Sequence, residues 1–159
     1  MAKCEVISID NFLKDMDARS KEFGDMAGKA MYQGAAIMAD QLRQNIQNLP
    51  ERSPAVKRDE MVRGVTKVQK EAMLNGMGVS KMMNKDGTYD IKIGFQGYDG
   101  EVTKAYPKGH PISMIARSVE SGTSFLQKTP FIRPAYQAAH ESAEAAMKKE
   151  IETQWQTAE

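Results

Sequence analysis

From Ile9 to Leu49 apolar side chains return at every third or fourth position: Phe12, Met16, Phe23, Met26, Ala27, Ala30, Met31, Gly34, Ala35, Met38, Leu42, Ile46 and Leu49. Asp15, Arg19, Lys21, Lys29, Asp40, Arg43 and Gln47 fall on the opposite side. That spacing predicts one long amphipathic helix. Ser8 or Asp10 would cap it, and Leu49-Pro50 would end it, because proline disfavours helical geometry in the residue before it. A break is expected between Arg19 and Gly24. Gly24, Gly28 and Gly34 weaken a helix, so the pattern anticipates close approach of another backbone there.

Pro50 to Arg58 reads as a connection. A second helix is expected from Arg58 to Asn75, with Met61, Val65, Val68 and Ala72 on one face and Arg58, Arg63, Lys67 and Lys70 elsewhere. Gly76 and Gly78 stop it. The segments MGVSKMM and TYDIKIGF, joined by NKDG, predict a β-hairpin, since Tyr89, Ile91, Ile93 and Phe95 alternate with Thr88, Asp90, Lys92 and Gly94. Gln96 to His110 has no period and holds Gly97, Gly100, Pro107 and Gly109, so it is expected to be a mobile surface loop. Pro111 opens a short helix through Ile112, Ile115, Ala116 and Val119, closed by Gly122. After Pro134 a last helix carries the stripe Tyr136, Ala139, Ala143, Met147, Ile151 and Trp155. The fold class is therefore α+β: long N- and C-terminal helices packed on a small antiparallel sheet built around the hairpin.

Length and composition agree with this. A chain of 159 residues fits a single domain, residues 1–159, with a core large enough to fold without staples. Aromatic content is only 7%, so the core leans on aliphatic residues and twelve methionines. A net charge of +1 supplies no global field to gather a polyanion or an acidic membrane. The single cysteine, Cys4, makes neither an internal disulfide nor a thiolate metal motif. The N-terminus MAKCEVISIDNF lacks the apolar run of a signal peptide, and no apolar stretch approaches the ~18 residues that suggest a membrane span.

Glu120, Ser121, Ser124, His110 and His140 supply the group types of a serine hydrolase, but there is no Gly-x-Ser-x-Gly elbow. Gly122-Thr123-Ser124 lacks the second glycine and lysine of a phosphate loop. Two histidines thirty residues apart and one cysteine make no short-spaced ligand cluster, so no metal, cofactor or catalytic residue is expected. Arg58, Arg63, Lys67 and Lys70 form a basic set without interleaved aromatic residues. That is the pattern of a solvated helix face, or of a lining beside passing DNA.

The stretch ESGTSFLQKTPFIRPAY, residues 120–136, has a mechanical reading. Pro130 and Pro134 fix their own backbones and push Thr129 and Arg133 towards extended geometry. Phe131 becomes an anchor at a rigid corner, and the Arg133 guanidinium is expected to pair with the Glu120 carboxylate in a fork.

Arg117, Glu120, Gly122 and Thr123, followed by Pro130, Phe131, Ile132, Arg133, Pro134 and Ala135, resemble the gene-product-10-like tail-component family of long-tailed bacteriophages. The likeness extends to the first helix, AMYQGAAIMADQLRQNIQNLP, and to the hairpin end IKIGF. The sequence departs from the family in its middle, at the charged segment Arg58 to Asn75. The resemblance implies a non-enzymatic virion protein of the neck, assembled in the host cytoplasm. It would act in tail completion or head-to-tail joining as a ring of copies around the DNA channel. Its implied partners are itself, other neck and tail proteins, and channel DNA, with no membrane and no cofactor. The structural corner would comprise Glu120, Gly122, Thr123, Pro130, Phe131, Arg133 and Pro134, and Tyr98, Tyr106 and His110 would mark an assembly loop. The alternative is a DNA-associated phage protein using the basic helix around residues 58–70.

Overall fold

The computed structural model describes residues 9–53, 61–85 and 88–157, with side chains from Ser20 to Gln156. The elements run α1 (Ile9–Gln47), β1 (Val62–Arg63), α2 (Lys67–Gly76), β2 (Met77–Val79), β3 (Met83–Lys85), β4 (Thr88–Asp90), β5 (Ile93–Phe95), α3 (Ile112–Ser121), β6 (Leu126–Gln127) and α4 (Ile132–Thr157). Two long helices and small two-stranded sheets make this the expected α+β class.

The periodic stripe of the first segment yields a single helix of 39 residues, about 58 Å long at ~1.5 Å rise per residue. The break expected between Arg19 and Gly24 does not occur. Helix α4 runs antiparallel to the C-terminal half of α1, tied by Asn45 to the Phe131 carbonyl at one end and by Lys29 to Gln154 at the other. Ala30 and Ala39 of α1 and Ala135, Ala139 and Ala143 of α4 are all buried, small residues that let packed helices approach closely.

The hairpin lies along α1, where Gly24 and Gly28 make room. An added Cβ at Gly24 would meet the Tyr89 hydroxyl, and one at Gly28 the Met82 side chain. Gly34 does the same for Met147 of α4. The close neighbours at the three glycines are thus side chains rather than a second backbone. The Tyr32 hydroxyl accepts the Met82 N–H at 2.9 Å, fastening the hairpin to the helix.

The hairpin itself is broken by a bulge. Val79 faces Ile93 but Met83 faces Asp90, so three residues, 80–82, oppose two, 91–92. Ser80 bridges the interruption, donating its N–H to the Lys92 carbonyl at 2.7 Å and accepting the Lys92 N–H on its hydroxyl at 2.9 Å.

The helix expected from Arg58 begins instead at Lys67. Thr66 accepts the Gln69 N–H on its hydroxyl while the Gln69 side chain accepts the Thr66 N–H, a reciprocal cap that sets the helix start. Upstream, Gly64 at φ +84° turns the chain against Pro50, whose carbonyl would collide with any Cβ there. Val62–Arg63 then pairs in parallel with Leu126–Gln127, a contact absent from the sequence reading. The core joins Leu42, Ile46 and Leu49 of α1 to Val65, Met73, Met77, Ile112, Ile115, Val119 and Phe131.

Candidate functional site

The corner begins at the end of α3. Gly122, at φ +76°, donates its N–H to the Ser118 carbonyl and closes the helix in a conformation that glycine adopts without strain. The Thr123 hydroxyl accepts the N–H groups of Phe125 and Leu126 at 3.2 and 3.0 Å, and its own N–H goes to the Leu126 carbonyl. This brace leaves Phe125 exposed at the tip of the turn. Thr129 then bonds back to the Val119 carbonyl at 2.9 Å. Phe131 is 2% exposed, edge-on to Phe95 at 6.2 Å.

Glu120 closes the corner. Its Oε2 accepts the N–H groups of Phe131 and Ile132 at 2.7 and 2.8 Å, and its Oε1 that of Arg133 at 3.2 Å. The next residue, Pro134, has no N–H. One carboxylate from α3 therefore satisfies every donor that the first turn of α4 leaves without an intrahelical partner, and it places a negative charge at the positive end of the helix. Partial burial pushes this carboxyl up. The N–H groups of Ile132, Phe131 and Arg133, with the Lys128 charge, outweigh that and hold it below the usual carboxylate value. The expected fork to the Arg133 guanidinium is thus corrected: Glu120 reaches Arg133 through its backbone, and the Arg133 side chain is exposed. A carboxylate beside three converging, correctly spaced N–H groups gains more from them than from one solvated cation.

The loop from Gln96 to His110 lies at the surface as expected, yet it is organised around one buried acid. Asp99 Oδ1 accepts the N–H groups of Glu101 and His110 at 3.0 and 2.7 Å, and Oδ2 lies 3.0 Å from His110 Nδ1. The Asp99 N–H goes to the His110 carbonyl, and Tyr106 packs on the His110 ring at 4.6 Å. Tyr98 and Tyr106 stand exposed on this frame. Asp99 was overlooked in the sequence, although Gly100 and Gly109, both at positive φ, bracket the loop that it pins. Asp99, Glu101 and His110 bring ligand atoms within 4.8 Å of one another, the grouping best placed to hold a cation among the described residues. The Asp99 oxygens are already committed to N–H donors and to the imidazole.

Among the described residues the basic set is divided between β1 and α2. Arg58 lies outside the described residues. Arg63 is in β1, and Lys67 sits exposed in the first turn of α2. Lys70 is spent on structure, donating to the Glu51 carboxylate at 2.9 Å and to the Gln47 carbonyl at 3.0 Å. The Lys70 hydrogen bond and charge hold the Glu51 carboxyl below its ordinary value. Each histidine also has a local partner: His110 takes Asp99, while His140 lies 3.2 Å from the Gln137 carbonyl and stacks on Tyr136.

Residues 10–122 match the family model described as "Bacteriophage HK97-gp10, putative tail-component". The chain belongs to this HK97 gp10-like family. The match spans α1, the hairpin, the Asp99 loop and α3, and it ends at Gly122, so the Pro130–Pro134 brace and α4 lie beyond it. No curated protein and no solved structure matches the chain. Among the described residues no helix is long and apolar enough to cross a membrane.

Proposed function

We propose that this tail-component family member is a non-enzymatic structural protein of the phage virion, acting at the neck in tail completion or head-to-tail joining. Copies assemble side to side as a ring, and the contacts are made with neighbouring neck and tail proteins. The family match over residues 10–122 carries the reading. The local chemistry is in keeping with it, since several ionisable side chains are engaged in holding shape. Glu120 caps a helix, His110 is held by Asp99, and Lys70 ties α2 to the end of α1.

In this reading the long α1 and α4, tied by Asn45 to the Phe131 carbonyl and by Lys29 to Gln154, form a stiff wedge, with the Glu120 corner fixing α4 to α3. The Asp99 loop presents Tyr98 and Tyr106 as a preformed contact to the next ring. A preorganised loop lowers the ordering cost at docking, so the order of assembly is set by the shape of the preceding ring rather than by loop folding. The whole chain acts as a single domain.

The test is deletion of the gene in its phage, followed by electron microscopy of the lysate. The expected result is DNA-filled heads and tails that remain unjoined or incomplete, with infectivity restored by adding the purified protein. Normally joined, infectious particles in the absence of the protein would overturn the proposal.

A further inference from the structure

Between Gln96 and Arg133 the chain sorts its charges by sign. The three acids of this stretch are turned to structural work. The Asp99 side chain is fully buried beneath the loop, Glu101 is half-buried with its carboxylate beside Asp99 and His110, and Glu120 caps α4. The five cations, Lys104, Lys108, Arg117, Lys128 and Arg133, are all exposed, and none forms an ion pair among the described residues. Contacts link them into one tract. Lys104 and Lys108 flank Tyr106, whose hydroxyl reaches the Met114 sulfur of α3 at 3.7 Å. Arg117 lies one turn further along α3, on the side opposite buried Ile112, Ile115, Ala116 and Val119. At the end of that helix Gly122 abuts Lys128, whose charge acts on Glu120, and Glu120 in turn holds the Arg133 N–H. Glu71 of α2 comes near the loop beside Tyr98, where Lys67, one turn earlier, offsets it.

We propose that this tract binds the phosphate backbone of duplex DNA without regard to sequence. A net charge of +1 gives the chain no overall pull on a polyanion, so the attraction comes from the sorting of acids inward and cations outward. Three of the five cations are lysines, which protein interfaces deplete and phosphate contacts use, so an acidic protein surface fits the tract less well. Tyr106, the ring between the two loop lysines, already packs on His110 and bonds to Met114. It is therefore a poor stacking platform for the unpaired bases of a single strand. Binding of this kind is a property of the isolated chain. It goes beyond the neck reading, and its failure would leave that reading standing.

Fluorescence anisotropy of a short labelled duplex with the full chain is the test. Binding at low salt is expected to weaken as salt rises, with a log–log slope of about −0.9 per phosphate engaged and so no steeper than about −4.5. The double variant Lys104→Gln/Lys108→Gln is expected to flatten that slope by about 2 and to weaken binding roughly tenfold. Lys148→Gln/Lys149→Gln removes the same charge from exposed positions on α4, about 22 Å along the helix from Arg133 at ~1.5 Å per residue. At about 0.1 M salt that separation exceeds the screening length of ~10 Å, so this control should change affinity by less than about twofold. Matching circular dichroism melts would show that both variants fold. No binding of the wild-type chain at low salt, or equal losses in the two double variants, would overturn the proposal. So would tighter binding of a single strand of the same sequence. Tighter binding of poly-glutamate than of the duplex would overturn it in favour of an acidic protein surface.

Discussion

The Glu120 carboxylate and the Phe131 main-chain nitrogen lie 2.7 Å apart, joining the last turn of α3 to the first turn of α4. The contact is one of three made by the same side chain, and together they leave the start of a 26-residue helix fully capped from another element. Loss of the charge in Glu120→Gln is expected to cost about 1 kcal/mol, and loss of the whole acceptor in Glu120→Ala about 2 kcal/mol, magnitudes typical of cap removal. Urea denaturation at neutral pH measures both. The figures stay modest because the group is only partly buried and solvent still screens its charge.

The same contact has a pH signature. Because the folded-state carboxyl is held below its ordinary value of 4.5, its contribution is complete above that value and is lost as pH falls through the folded-state pKa. The stability gap between wild type and Glu120→Gln should therefore be constant near neutrality and narrow in acid below the ordinary carboxylate value. Paired thermal melts between neutral and acid pH check this, and a gap that widens in acid would contradict the assignment.

Phe131 carries the apolar half of the corner. Its ring is buried between Phe95 and the α1 core, and its carbonyl is held by Asn45. Phe131→Ala should cost about 3–5 kcal/mol, the range for emptying an aromatic site in a packed core. Phe131→Leu should recover a large part of it. Chemical denaturation of the two variants is the measurement.

Two glycines make an internal control for backbone constraint. Gly64 has a positive φ and lies against the Pro50 carbonyl, so Gly64→Ala should destabilise by more than about 1 kcal/mol. An added Cβ at Gly78 meets nothing within 4 Å. Gly78→Ala should change stability by less than about 0.5 kcal/mol. A comparison of their melting curves separates local geometry from a general intolerance of the fold.

For the loop, Asp99→Ala removes the acceptor shared by the Glu101 and His110 N–H groups. Hydrogen exchange at these two amides should accelerate strongly while α1 and α4 keep their protection, since the loop can open locally without unfolding the core.

The long helices were legible in the sequence because their apolar side chains repeat at the helical period over many turns. The hairpin was legible because Tyr89 to Phe95 alternate. What escaped was decided by contacts between distant segments. Nothing local marks Val62–Arg63 as the partner of Leu126–Gln127. The bulge at residues 80–82 lies where the hairpin meets α1, with Met82 against Gly28 and its N–H on the Tyr32 hydroxyl. The start of α2 was misplaced because Met61 and Val65 fit the helical spacing, while the Thr66/Gln69 cap that overrides it was present but unused. On α4 the expected stripe mixed two faces: Ala139 and Ala143 are buried, whereas Tyr136, Ile151 and Trp155 are exposed. A single helical period cannot separate a core face from an adjacent exposed face when both are apolar. The Glu120 corner was legible as a corner, but its chemistry was not. A carboxylate and an arginine at the two ends of one braced stretch suggest an ion pair, and only the start of α4 shows that the backbone donors are better placed.

The most direct measurement of the central claim, that this chain works as a built-in part of the virion, is its copy number in purified particles by quantitative mass spectrometry. A fixed, small integer multiple per particle, retained through density-gradient purification and localised by immunogold labelling to the head–tail junction, is the predicted result. Absence of the chain from infectious particles, or a variable trace amount, would contradict it.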